Sequence, residues 1–408
     1  MGILSGLKIL DFTTLLPGPF ATMMLADMGA DVLKVEAPNR EDLTKFLPPI
    51  DGELSAAFGH INRSKRSLAL DLKNDEAKQI IYQLVQKYDI VVEQFRPGVM
   101  ERLGIGYEQL KEINPKIIYC SITGYGQTGP LQQRAGHDIN YLSLAGAAGY
   151  SARKNQPPVP AGIQVADIAG GSFPAVIGIL AAVYHREQSG EGQYIDISIT
   201  DGVFAMNAMY GSGYLVGGIE PEAESLLLNG GQFYDYYETK DHRYFSVGSI
   251  ETPFQVRLCN LIGDQSLIQL SSSENPEEQR KFKSILTETF KQKTFDEWLE
   301  ILGDGFDGCV EPVLNFSESV QHSQFKAREM VVEIPKQDGG MQKQIAFPIK
   351  FSNQPAKYQF TGVQTGTHTL AILKEAGIDT GIIKRLAKQG ALGKLLNLEE
   401  MFENESTR

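Results

Sequence analysis

The chain offers little to metal or disulfide chemistry. Among 408 residues three are cysteine, Cys120, Cys259 and Cys309, an odd number at spacings that neither ligate zinc nor frame a disulfide scaffold. They read as packed thiols. Basic charge is short as well: 38 Lys and Arg against 50 Asp and Glu leave a net charge of -12. A duplex-binding surface needs a basic excess to displace counterions, so no nucleic-acid partner is expected. No uninterrupted apolar run approaches the ~20 residues of a membrane span, and nothing ahead of LKILDF resembles an export signal. The expectation is a soluble, cytoplasmic protein without a membrane partner. Two nucleotide fingerprints are also missing. The turn after the first strand, TTLLPGPF, holds one glycine where Gly-x-Gly-x-x-Gly would be needed, and no Gly-Lys-Ser/Thr phosphate loop occurs. Glu36, the ribose partner under a dinucleotide reading, then reads as a strand-end surface residue.

What is present is a globular composition, 42% apolar and 22% charged, on a chain long enough for two domains. The first third alternates buried-strand and helix patterns. LKILDF is a strand, GPFATMMLADMGA a helix with Pro19 in its first turn and Gly29 at its end, and DVLKVEA the next strand, closing a β-α-β unit. SLALDL, the helix NDEAKQIIYQLVQKY capped by Asn74, DIVVEQF, the short helix GVMERLG and KIIYCSIT repeat the theme. This is a doubly wound α/β layout, whose ligands sit at the carboxyl ends of the strands.

Helical DINYLSLAGAAGY and DIAGGSFPAVIGILAAVYHRE follow, then the strand GQYIDISIT. From about Gly217 the texture shifts to an antiparallel hairpin turning at KDH and to charged helices such as PEEQRKFKSILTETFKQ. Residues 1-200 are assigned to a large domain, 201-216 to a linker and 217-329 to a smaller α+β domain. Residues 330-408, with a Gly-Gly hairpin and a helical tail, complete the large one. The polar end, NLEEMFENESTR, is expected to fray.

Three residues could carry chemistry, and each has a second reading. Asp167 heads a first turn, IAGGS, that lacks bulk; it is either a helix cap or an acid/base group, with Gly170 and Gly171 allowing close approach to the backbone. The amides of that helix start would suit an oxyanion or enolate. His137 lies in a Gly-His-Asp turn, with Asp138 as the N-cap; it is either a structural residue or a base projecting from the helix entrance. Glu251, where a strand passes to a helix, is either exposed beside a Thr252 cap or a carboxylate that orients an imidazole. Arg63, Lys65, Arg66 and Lys73 gather in NRSKRSLALDLK, as solvated surface or as a holder of an anionic ligand.

Nearly the whole chain resembles the family III CoA-transferases (CaiB/BaiF), the group that includes the alpha-methylacyl-CoA racemases. The resemblance runs in order through LKILDFTTLLPGPFATMMLADMGADVLKVE, NRSKRSLALDLK, EQFRPGVMERLG, SITGYGQTGP, VADIAGGSFPAVIGILAA and GEGQYIDISITDG. It implies an intertwined homodimer in which a Rossmann-like large domain binds CoA and the acyl group lies near the small α+β domain of the dimer partner. Transferases of the family resemble one another in an aspartate at position 167 that forms an acyl anhydride, and generally lack a histidine at 137. GHDINYLSLAG, VADIAGG and the segment carrying Glu251 look like the racemase subgroup. That resemblance implies epimerisation of 2-methylacyl-CoA thioesters by His137 and Asp167, supported by Glu251. CoA transfer between carboxylic acids through acyl-Asp167, and CoA binding without catalysis, are the alternatives.

By the same match, Leu16, Leu72, Lys73, Gln94, Phe95, Arg96 and Arg102 contact the CoA nucleotide, and Gly136 and Asp138 face the pantetheine end. No cofactor beyond the CoA of the substrate, and no metal, is implied. Ala37 stands where many members have an arginine after the strand-end acid, which leaves the adenine-side contact open, with Arg40 as the candidate substitute.

Overall fold

The computed structural model describes residues 2-393. The polar end expected to fray lies outside the described residues. The chain divides into two units, one comprising residues up to Leu142, Gly162–Val203 and the segment from Ala327, the other Ser143–Ala161 and Phe204–Lys326. Two sequence assignments change. Residues 143-161 leave the large domain for the second unit, and the proposed linker is helical, with Ile199–Ala205 and Tyr210–Gly217.

The first unit is built on six parallel strands: β1 (Lys8–Asp11), β2 (Asp31–Glu36), β3 (Lys65–Ala69), β4 (Ile90–Glu93), β5 (Ile118–Thr123) and β6 (Tyr194–Ser198). Their spatial order is β3-β2-β1-β4-β5-β6, so the order reverses beside β1. Crossover helices cover such a sheet on both faces, which is why its strands read as near-continuous apolar runs. Ile9, Leu10, Val91 and Ile118 have no exposed surface.

Helix α1 (Pro17–Asp27) follows β1 and carries proline in its first turn, where a missing N–H costs nothing. It ends ahead of Gly29, whose φ of 101° and contact with Gly2, 2.6 Å from a would-be Cβ, leave room for no side chain. Helix α2 (Asp75–Leu84) is capped as its sequence requires, Asn74 accepting from the amides of Glu76 and Ala77. A hairpin of Val331–Pro335 and Met341–Ile345, turning through Gly339, belongs to this unit.

One helical run of 24 residues, Ala166–Ser189, holds an 18-residue window with a mean hydropathy of 1.7, enough by length and composition to cross a membrane. Counting uninterrupted apolar residues misses it, because glycines and a serine break the run. Its Ala175, Ile179 and Ala182 are buried and it packs against β5 and β6, as a core helix does. Ile177 and Tyr184 are exposed.

The second unit pairs Asp235–Glu238 with Tyr244–Val247 in the expected hairpin and adds Val310–Pro312 on the other side. Its core is aromatic: Phe233, Tyr237, Phe245, Phe282, Phe290, Phe295 and Trp298. The Trp298 indole N–H donates to the Phe290 carbonyl at 2.9 Å, so the ring is buried without an orphaned donor.

Candidate functional site

The residues matched to CoA binding line one edge of the first unit. Leu16 follows β1 as the residue before α1, Leu72 and Lys73 follow β3, Gln94 to Arg96 follow β4, and Gly136 ends the loop after β5 with Asp138 opening the next helix. Arg102 ends the short helix Val99–Arg102 just beyond. All trail the carboxyl ends of parallel strands, where such sheets take their ligands. Lys73, Arg96 and Arg102 are exposed, whereas Leu72 and Phe95 are half-buried against the core.

Gln94 has a structural duty as well, its carboxamide oxygen accepting from the Gly18 amide at 3.0 Å and so joining the β4 turn to α1. Arg40 is exposed. Two cavities, of about 230 and 250 Å³, lie elsewhere, one lined by Asp51, Lys336 and Gln342 and the other by Lys8, Asp31, Arg66 and Tyr88.

Two members of the basic cluster, Arg63 and Lys65, prove to be internal, and a third is tied down at the surface. Arg63 is 1% exposed; it is bidentate on Asp27, donates to the Ile345 carbonyl at 2.7 Å and stacks over Tyr358. Lys65, equally buried, donates to Asp11, to the Pro19 carbonyl and to Asn62. Arg66 is tied to Asp31, Glu375 and Tyr88. Of the four, Lys73 alone remains at the carboxyl edge, so neither a solvated patch nor a four-residue phosphate holder exists. Glu36 likewise is buried, accepting from Ser67 and paired with Lys45, rather than lying at the surface.

His137 is exposed and occupies the cap position of helix α3 (Asp138–Leu144). Its carbonyl accepts from the Asn140 amide at 2.8 Å, and its own amide donates to the Asn140 side chain at 3.0 Å. Backbone rather than imidazole therefore holds the turn. Tyr141, which sequence reasoning passed over, supports it by donating to the Gly136 carbonyl at 2.6 Å and packing edge-on to Tyr125. Asp138 is not the cap of its own helix. Its Oδ1 accepts from the amide of Asp167, at 3.0 Å.

Asp167 does not cap a helix either. It lies in the first turn of a π-helical stretch, Ala166–Ser172, closed by the Phe173 amide donating to the Ile168 carbonyl. Such widened turns recur at functional sites. The Ser172 hydroxyl donates to the carbonyls of Pro17 and Asp167, fastening the turn to α1. What approaches Gly170 and Gly171 is the protein itself. A Cβ on Gly170 would lie 2.8 Å from the Ile199 carbonyl, and one on Gly202 only 2.1 Å from the Gly170 carbonyl. The helix-start amides expected to serve an enolate are partly taken, Asp167's by Asp138 and Ile168's by the Gln164 carbonyl.

Burial pushes the Asp167 carboxyl up to about 6, the Asp138 charge adds to the rise, and His137 opposes it. Glu93, at the end of β4, is also pushed up, to about 7, chiefly by burial. It accepts from the Phe95 amide at 2.7 Å and so shapes the predicted CoA turn. A carboxylate inside the apolar run DIVVEQF was the available signal. Glu251 belongs to the second unit, where it is exposed and takes the cap position before the helix Thr252–Leu261 through its carbonyl, with no side-chain cap bond.

A sequence model of CoA-transferase family III matches residues 4–369. An acyl-CoA transferase of Fusarium pseudograminearum is 34% identical, over 96% of this chain and 88% of its own. The alpha-methylacyl-CoA racemase of Mus musculus is also 34% identical, over 94% and 96%. Among solved structures, a CAIB/BAIF family protein from Brucella suis superposes with a TM-score of 0.78 at 30% identity, covering 92% of this chain and all of that one.

Proposed function

The chain belongs to CoA-transferase family III, a family of enzymes acting on acyl-CoA, and from that premise we propose that it epimerises the α carbon of 2-methylacyl-CoA thioesters. The observation that carries the proposal is Asp167, a carboxyl raised to about 6, whose amide is held by Asp138, the residue next to His137 in the chain. His137 takes the α proton from one face, leaving an enolate, and protonated Asp167 returns a proton to the other. The reverse reaction exchanges the roles, so one C–H bond breaks as another forms and nothing is consumed. That chemistry calls for no metal and no redox group. On the resemblance, Glu251 is proposed as the carboxylate that orients the imidazole, and Lys73, Arg96 and Arg102 as the cations for the CoA phosphates.

We extend the proposal to an intertwined homodimer working in the cytoplasm. The exposed Ile177 and Tyr184 of the first unit, and Leu215 and Val216 of the second, support it as surfaces suited to a second copy. Sedimentation velocity at micromolar protein is expected to give twice the mass of one chain; a single-chain mass would refute it.

A second reading is favoured by the transferase relative at equal identity. Ionised Asp167 would attack the thioester carbonyl, the C–S bond would break to release CoA thiolate, and the acyl group would remain as an anhydride. One incubation separates the readings. A chiral 2-methylacyl-CoA in deuterated buffer should gain deuterium at the α carbon as configuration is lost. If the α proton is retained while CoA passes to an added carboxylic acid, with hydroxylamine trapping acyl-Asp167, the enzyme is a transferase. CoA binding with neither activity would leave a binding protein.

A further inference from the structure

We infer that Asp138 is a positioning residue for Asp167: its carboxylate, seated on the Asp167 amide, aligns the two proton-handling loops and keeps a fixed negative charge beside the Asp167 carboxyl. The inference rests on the epimerase reading and deepens it. An aspartate at a helix start ordinarily accepts from amides of its own first turn. In α3 the His137 carbonyl and the Asn140 side chain form that cap, which leaves the Asp138 carboxylate to bond across 29 positions of sequence to another helix start.

Asp138 adjoins His137 in the chain and holds Asp167 through space. Any shift of the loop after β5 therefore carries both groups together, and proton transfer at two faces of one carbon tolerates little relative displacement. The bond also has an electrostatic effect. Asp138 opposes ionisation of Asp167, second only to burial, and His137 favours it. The Tyr141 phenol, on α3, sits beside both carboxyls and is itself held protonated by burial and by their charges. A carboxyl that must both give and take a proton cannot be a strong acid, and the neighbouring anion helps to prevent that.

Asp138→Asn retains an oxygen for the Asp167 amide while removing the charge. The acid limb of the pH profile for α-proton exchange is expected to move to lower pH by on the order of one unit. Asp138→Glu restores the charge and is expected to bring the limb back. Asp138→Ser serves as the uncharged variant should the asparagine protein melt early.

A second readout does not depend on activity. With ¹³C-labelled aspartate and the Asp167 signal assigned by its loss in Asp167→Asn, the NMR titration midpoint should fall in Asp138→Asn. If the midpoint falls but the unsubstituted protein exchanges no α proton, the placement of Asp138 stands and the epimerase reading fails. If exchange is intact and both midpoint and acid limb stay where they were, the placement is overturned and the epimerase reading survives.

Discussion

His137→Ala is expected to lower α-proton exchange by about 10²–10⁴-fold, the usual contribution of a positioned general base, while CoA affinity changes little. The separation follows from how the turn is built. Cap bonds at the start of α3 come from the His137 carbonyl and amide, which alanine retains, and the imidazole is exposed rather than packed. Removing it costs chemistry without costing fold. Asp167 remains, so slow exchange at one face persists. Deuterium uptake by mass spectrometry and CoA titration calorimetry on the same preparation give the two numbers. Unchanged uptake would remove His137 from the mechanism. In a transferase, the substitution would instead leave CoA movement between acids largely intact.

The second large effect lies beneath the binding edge. Asp11, at the end of β1, has no exposed surface. It accepts from the amide and hydroxyl of Thr13, the hydroxyl of Thr22 at 2.6 Å and Lys65 at 3.2 Å. Lys34, also buried, donates to the Thr13 carbonyl at 2.7 Å. Burial alone would raise the Asp11 carboxyl, but the Lys65 and Lys34 charges and the two hydroxyls outweigh it and hold it at about 2. For Lys65 burial prevails, drawing the ammonium down to about 8 although Asp11 opposes the fall.

Asp11→Ala strands two buried cations, and breaking such a set from one side costs about 3–5 kcal/mol. Thermal melting should show a lower transition, with CoA affinity falling because the turn leading to Leu16 starts at this strand end. A melting temperature within a degree of the parent would refute the role assigned to Asp11. Acid behaviour gives an independent check. Stability from a carboxyl lowered to about 2 is complete above its ordinary 3.8 and is lost as the pH falls between those values, here about 2 kcal/mol. The alanine variant should lose correspondingly less over that interval.

Much of the fold was legible because one physical signal dominates it. Strands buried on both faces read as largely apolar runs, and β1, β4 and β5 do so, whereas Lys34 in β2, Lys65 to Ser67 in β3 and Asp196 in β6 break theirs; Asn74 as a cap and Pro19 in a first turn mark helix starts. The carboxyl edge was legible too, as it follows from strand direction. Side-chain partnerships were not. Arg63, Lys65 and Arg66 form a basic cluster in sequence, and nothing local shows that Asp27, Asp11 and Asp31, each more than thirty positions away, meet them inside the fold. Asp138 misleads for the same reason: a cap residue looks alike whether it serves its own helix or another. His137 and Asp167 were visible as residue types at helix starts. The widened turn beneath Asp167, and the Gly170–Gly202 approach that admits it, depend on a helix that starts thirty residues further on.

That widened turn sets a phase. A regular α-helix advances about 100° per residue, so one residue more or fewer in a turn rotates everything ahead of it by that amount. Deleting a residue between Ile168 and Ser172 to restore regular winding would preserve the buried face of Phe173–Ser189 against the sheet, yet swing Asp167 roughly a quarter of the way around the axis. The carboxyl's bearing is thus written into the spacing between Asp167 and Ala175.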